Sequence, residues 1–89
     1  MDLSIIIVSY NVRSFLRQAL QTLQDASKGL ETEIFVVDNN SIDGSKQMVR
    51  REFPDVKLIC NPDNAGFARA NNQALSRCKG RYILLINPD

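Results

Sequence analysis

The sequence predicts an α/β fold: four strands in one parallel sheet, ordered 3-2-1-4, with three helices on both faces. Three observations lead there. Short β-branched, apolar runs alternate with segments whose apolar residues recur at helical spacing, giving strand, helix, strand, helix, strand, helix, strand. The apolar runs are nearly continuous, as in strands covered on two sides, and right-handed crossovers then force the strands parallel. Finally, 89 residues without repeats or linkers leave room for one domain, so the alternation belongs to a single sheet.

The first strand spans Leu3 to Tyr10, almost wholly apolar and rich in isoleucine. Asn11 turns the chain into a helix over Val12 to Ala26. Phe15, Leu16, Ala19, Leu20 and Leu23 form its buried face, and Arg13, Arg17, Gln18 and Gln21 its wet one. Lys28-Gly29 stops it. The second strand covers Glu33 to Val37 and ends in Asp38-Asn39-Asn40. Ser41 or Asp43 caps a second helix, Asp43 to Phe53, with Met48, Val49 and Phe53 buried and Arg50-Arg51 exposed near its end. After Pro54-Asp55 comes a third strand, Val56 to Cys60, then the polar loop Asn61-Pro62-Asp63-Asn64-Ala65-Gly66. A third helix, Phe67 to Cys78, buries Phe67, Ala74, Leu75 and Cys78, and carries Asn71 on its buried side. Lys79-Gly80 leads to the fourth strand, Arg81 to Ile86. Its four consecutive apolar residues read as a strand buried on both faces that delivers Asp89 to the mouth of the sheet.

Composition narrows the function. The net charge of +1 with scattered basic residues gives no case for nucleic acid or an anionic membrane. No apolar run approaches the roughly 20 residues of a membrane span, and Met1-Asp2-Leu3 enters the first strand without a basic leader, so a cytoplasmic location is expected. There is no histidine, which removes His-based catalysis. Cys60 and Cys78 lack metal-ligand spacing and read as buried free thiols of a reducing compartment.

Parallel strands bring their carboxyl ends to one rim. Here that rim carries Ser9-Tyr10-Asn11, Asp38-Asn39-Asn40, Asn61 with Asn64-Ala65-Gly66, and Asn87-Pro88-Asp89, whereas the opposite rim carries ordinary turn residues. In the order 3-2-1-4, strands 1 and 4 flank the switch point where open α/β sheets bind ligands. The first strand-to-helix turn lacks a glycine-rich fingerprint, and no Walker A sequence is present, so a phosphorylated ligand needs its charge met elsewhere. Asp89 can do this through a divalent cation, Mg²⁺ or Mn²⁺, aided by the third helix's N-terminus at Gly66-Phe67. Asp38 ends strand 2, where a carboxylate can accept from a ribose hydroxyl or a base imide, and Tyr10 can stack on a base. Each residue also has a structural reading, as turn, cap or packing residue; the four segments together favour a site.

These segments resemble family 2 glycosyltransferases. Ser4 to Asn11, Val36 to Ser45, Asn64 to Asn72 and Leu84 to Asp89 match that family's pattern in order, and together span essentially the whole chain. The resemblance implies a GT-A fold, of which this chain is the Rossmann-like, N-terminal half. It also implies transfer of a sugar from a nucleoside-diphosphate sugar, UDP- or dTDP-linked, to a carbohydrate or lipid-linked acceptor with inversion. By position it makes Ser9, Tyr10, Asn11, Asp38, Asn40, Asn64, Gly66, Asn72 and Asn87 nucleotide-sugar-binding residues and Asp89 a ligand of Mg²⁺ or Mn²⁺. The Asn-Pro-Asp form is similar to bacterial rhamnosyltransferase-like members that build cell-surface polysaccharides, and the intact enzyme is expected at the inner face of the membrane. Asn87 stands where many relatives have Asp.

The resemblance also implies that the domain continues past Asp89 into an acceptor-binding half holding the catalytic base, so residues 1–89 alone are expected to be inactive. The fourth strand's edge is then open, and self-association through it, or fraying near Asp89, is expected. A non-catalytic nucleotide-binding or assembly module is the alternative. A phosphoacceptor domain shares the alternation but needs clustered acids after strand 1, where this chain has Ser9-Tyr10-Asn11.

Overall fold

The structure, a computed structural model, describes residues 1–64 and 66–87. The elements are β1 (Leu3–Ser9), α1 (Arg13–Ala26), β2 (Thr32–Asp38), α2 (Ser45–Glu52), β3 (Lys57–Cys60), α3 (Phe67–Leu75) and β4 (Tyr82–Ile86). All strand pairs are parallel and the order is β3-β2-β1-β4, as the alternation requires.

Alternation along β1 and β2 divides the core. Ile5, Ile7, Ile34 and Val36 face α1 and α2, where Leu16, Leu20, Met48, Val49 and Phe53 close over them. Ile6, Val8, Phe35 and Val37 face α3 and meet Ala70 and Ala74, whose small side chains let the helix lie close to the sheet. Two helices on one face and one on the other is the expected distribution.

Several sequence expectations fail at the margins of the described sheet. Strand β4 has β1 on one side only among the described residues, and its Tyr82, Ile83, Leu84 and Leu85 are 69%, 45%, 43% and 47% exposed, so it is an edge strand rather than one buried on both faces. Phe15, beside it on α1, is 54% exposed and lines an apolar groove with Ala19, Leu23 and Ile86. Phe67, at the start of α3, is also exposed instead of buried, because it sits at the rim beyond the sheet. Cys60 and Cys78 are free, but Cys60 is exposed at the end of the other edge strand, and Cys78 is only partly covered.

Helix ends differ for local reasons. α3 stops at Leu75, and the chain continues in tighter turns, Arg77 N–H to Ala74 and Cys78 N–H to Leu75, which keep the apolar spacing without the helix. The N-cap of α2 is Gly44 at φ +86°, not Ser41 or Asp43. Gly80 is a glycine because the chain crosses β1 there: a Cβ would stand 2.4 Å from the backbone nitrogen of Ser4.

At the amino-terminal rim, buried Glu33 gathers three donors. Its Oε2 accepts from Ser4 Oγ and from the Lys79 backbone N–H, and its Oε1 from Lys57 Nζ at 2.7 Å. Burial pushes the carboxyl up, but the bonds from Lys57, Ser4 and Lys79 outweigh it and bring the pKa down to about 2. The α3–β4 connection is thereby tied to the sheet, on the rim opposite the strand ends.

Candidate functional site

The carboxyl rim is built from three loops held to one another by side chains. Asn11 leaves β1 at φ +51° and Asn40 leaves β2 at φ +64°, a left-handed conformation asparagine tolerates better than most residues. The two loops are then zipped together. The Asn11 backbone N–H donates to Ser41 Oγ at 2.9 Å, and Asn11 Oδ1 accepts from the Ile42 N–H at 2.8 Å. One step on, Asp43 Oδ2 accepts from the Arg13 N–H at the start of α1, while its Oδ1 accepts from the Ser45 N–H and hydroxyl at the start of α2. One carboxylate thus serves both helix N-termini. Burial raises its pKa, and the bonds from Ser45 and Arg13 overcome this, leaving the group below the usual carboxylate range.

On the same face, Ser9 and Asp38 are a register pair closing the β1–β2 ladder. Both are buried, at 0% and 1% exposure. Asp38 Oδ2 accepts from the Ser41 N–H at 2.8 Å, but Asp38 Oδ1 and Ser9 Oγ have no hydrogen-bond partner among the described residues. Such orphans are uncommon in folded proteins, and Asn71 Oδ1 on α3 is another.

On the α3 face lies a cleft lined by Val8, Tyr10, Asn39, Asn64, Gly66, Phe67 and Asn87. Tyr10 extends β1 and Asn87 follows β4, so the cleft straddles the point where the strand order reverses. Tyr10 and Phe67 are about half exposed and present ring surface. Gly66 takes φ +82°, and its N–H is met by Asn64 Oδ1 at 3.4 Å.

Of the residues singled out from sequence, Tyr10, Asn64, Gly66 and Asn87 are therefore brought together in one cleft, and Ser9, Asn11 and Asp38 cluster across the sheet edge from it. Asn40 is exposed in the β2–α2 loop, and Asn72 is exposed on α3 outside the cleft lining. Asp89 lies outside the described residues. Among the described residues no group of three or more acids or cysteines could hold a metal ion. Of the rim acids, Asp43 holds two helix starts, and Asp38 has one buried oxygen without a partner among the described residues.

Sequence reasoning passed over Ser41, Asn39 and Phe67 as site residues. For Ser41 and Asn39 a signal was present, since they follow Asp38 within a run of four hydrogen-bonding residues, but which of them faces inward depends on the turn.

Residues 4–89 match the family model described as glycosyl transferase family 2. The chain is 32% identical over 89 residues to the putative teichuronic acid biosynthesis glycosyltransferase TuaG of Bacillus subtilis, covering 97% of this chain and 35% of that protein. Among solved structures it is similar to S. aureus TarS 1-349 in complex with UDP (TM-score 0.84, 26% identity, 100% of this chain and 28% of that one). It is also similar to the mannosyltransferase PcManGT from Pyrobaculum calidifontis in complex with GDP-Man and Mn2+ (TM-score 0.82, 26% identity, 98% and 27%). The chain thus spans about a third or less of each of these proteins.

Proposed function

The chain belongs to glycosyl transferase family 2, and from that premise we propose that it is the donor-binding part of an inverting glycosyltransferase acting in cell-surface polysaccharide synthesis. The observation that carries this is the cleft at the switch point: Tyr10 and Asn87, from the ends of β1 and β4, line it together, and the half-satisfied carboxylate of Asp38 closes the neighbouring strand. Asp38 Oδ1 accepts from the base imide, Ser9 supplies a hydroxyl beside it, and Tyr10 offers a stacking surface. The Asn64–Gly66 wall and the first turn of α3 face the diphosphate side. The relatives' names carry the choice of process: TuaG is described by teichuronic acid biosynthesis, TarS was solved with UDP and PcManGT with GDP-Man and Mn2+.

A divalent cation, Mg²⁺ or Mn²⁺, rests on Asp89 in this reading and neutralises charge on the departing nucleotide. The acceptor, a carbohydrate or a lipid-linked saccharide, and the base that deprotonates it are assigned to a part of the enzyme beyond these residues, and residues 1–89 bind donor without transferring it. No helix among the described residues is long and apolar enough to cross a membrane; the enzyme works on the cytoplasmic side, at the inner membrane face. The uncovered edge of β4 carries association with a second copy.

Calorimetry of the 89-residue chain with UDP, dTDP and GDP, with and without Mn²⁺, tests the reading. Saturable binding of a nucleotide that Asp38→Asn weakens supports it; a chain that binds none of the three is not a donor site.

A further inference from the structure

Behind the cleft runs a series of side-chain amides that the proposed nucleotide contacts do not use. Gln73, late in α3, and Asn61, the first residue after β3, pair head to tail: Gln73 Nε2 donates to Asn61 Oδ1, and Asn61 Nδ2 donates back to Gln73 Oε1, each at 2.9 Å. The same Asn61 Nδ2 donates to Asn39 Oδ1 at 2.8 Å, and Asn39 Nδ2 donates to the Gly66 carbonyl at 3.4 Å. The backbones at this end are fixed too, with the Asn61 N–H on Asp38 O and the Asn39 N–H on Ser9 O, both at 2.9 Å.

Asn39 and Asn61 are 2% and 5% exposed. Burying amides costs free energy that a leucine would not incur, unless every group is met and the arrangement serves a purpose. The purpose is legible at the far end. Gly66 adopts φ +82° and ψ +162°, a region open to glycine alone, and nothing lies within 4 Å of where a Cβ would stand. Local sterics therefore do not hold this residue. Its N–H bonds to Asn64 of the same loop, and its carbonyl to the Ala70 N–H of the same helix. Among the described residues, the hydrogen bond that ties Gly66 to the sheet is the one from Asn39.

We propose that Gln73 and Asn61 are positioning residues of the cleft. By engaging the Asn39 amide they hold Gly66, and with it the wall of Asn64 and Phe67, at a set distance from the end of β1. Gln73 lines no part of the cleft and acts through Asn61 and Asn39. The functional half of the proposal rests on reading the cleft as the nucleotide site; the mechanical half does not.

Two measurements on the 89-residue chain test it: amide hydrogen exchange without ligand, and calorimetry with UDP, dTDP and GDP. In Gln73→Ala the Ala70 amide, which donates to the Gly66 carbonyl, exchanges about tenfold faster or more, while Ile6 and Val36 in the strands keep their protection. Nucleotide affinity falls about tenfold. Re-pairing the amides with Asn61→Gln and Gln73→Asn together restores both. An Ala70 amide that does not change overturns the proposal, as does equal loosening of the strands, which marks a merely structural contact. Selective loosening with unchanged affinity overturns it as well. If the wild-type chain binds no nucleotide, the nucleotide reading falls by itself, and the exchange pattern still decides whether the amide series holds the wall.

Discussion

Ser9 and Asp38 stand side by side as the last register pair of β1 and β2, and each has a buried oxygen without a partner among the described residues. For a structural pair this is the wrong arrangement, since an unsatisfied buried carboxylate oxygen costs on the order of 1–3 kcal/mol. For a site awaiting a donor it is the right one. Asp38→Asn therefore has opposite effects on stability and binding. It keeps an oxygen for the Ser41 N–H and replaces the one that has no partner among the described residues, so the melting temperature stays level or rises. With the single amide oxygen taken by the Ser41 N–H, an NH2 donor instead of a charged acceptor faces the proposed imide, so nucleotide affinity falls about ten- to a hundredfold, the scale of a charge-assisted hydrogen bond. Thermal melts run beside calorimetry separate the two; a variant that loses stability and keeps its affinity makes Asp38 a structural acid.

Asp43 should behave in the contrary way. Without being the N-cap of either helix, it accepts from the Arg13 N–H at the start of α1 and from the Ser45 N–H at the start of α2. Asp43→Ala is expected to cost about 2 kcal/mol, near the upper end for one helix cap because two helices depend on it. Its folded pKa is depressed, so the contribution is full above the ordinary carboxylate range and fades as the pH falls through the folded value. Urea titrations at neutral pH and near pH 3 should show the wild-type advantage shrinking at the lower pH. A constant difference would place the effect elsewhere.

Glu33 contributes to the loss of stability in acid. The carboxyl's ordinary pKa of 4.5 is brought down to about 2 in the fold, so its stabilisation is complete above pH 4.5 and is lost between 4.5 and 2. Glu33→Gln keeps the shape but loses the charge that Lys57, Ser4 and Lys79 address, and is expected to cost about 2 kcal/mol at pH 7. The gap between variant and wild type should close as the pH drops below 4.5. If the two curves run parallel down to pH 2, Glu33 is not the titrating group.

These acids show where sequence reasoning reached its limit. Strand order, parallel pairing and the two-faced core follow from alternation and crossover handedness, which are local patterns plus a topological rule. Tyr10, Asn64, Gly66 and Asn87 were legible as neighbours because parallel strands must end on one rim. Asp43 was legible only as a cap for the helix that follows it, since its bond to Arg13 spans 30 residues. Glu33 carried a signal, a lone acid in an apolar run, but its partners come from β1, β3 and the α3–β4 turn, which no local pattern joins. Phe15 and Phe67 fit helical spacing yet are exposed, because periodicity marks a face and not how far the sheet extends beneath it.

The metal proposal is tested by Asp89→Ala. Hard oxygen ligands hold Mg²⁺ or Mn²⁺ between carboxylate and diphosphate, so nucleotide binding should be tighter with the ion than without it. Asp89→Ala should remove that increment and leave metal-free affinity unchanged. Uridine, which lacks the diphosphate, should show no increment with either protein. An increment that persists in Asp89→Ala would falsify the assignment of the ion to this residue.

β4 decides how the chain behaves in solution. Its sequence, Tyr-Ile-Leu-Leu-Ile, has no charge, proline or bulge to discourage pairing, and four of its five side chains are at least 43% exposed. Natural edge strands of this length are usually guarded by such residues, because unpaired N–H and C=O groups are a template for another strand. Phe15 and the groove beside Ile86 extend the apolar surface on the α1 face. Two copies can meet by antiparallel β4 pairing about a two-fold axis, which is self-complementary and closes at the dimer. Sedimentation velocity should then show a concentration-dependent dimer. Leu84→Lys places a charge at the centre of the edge and should shift the equilibrium to monomer, with β1 and β2 amides still protected from exchange. A wild-type chain that stays monomeric at hundreds of micromolar, with the β4 amides protected, would show that the open edge does not recruit a second copy.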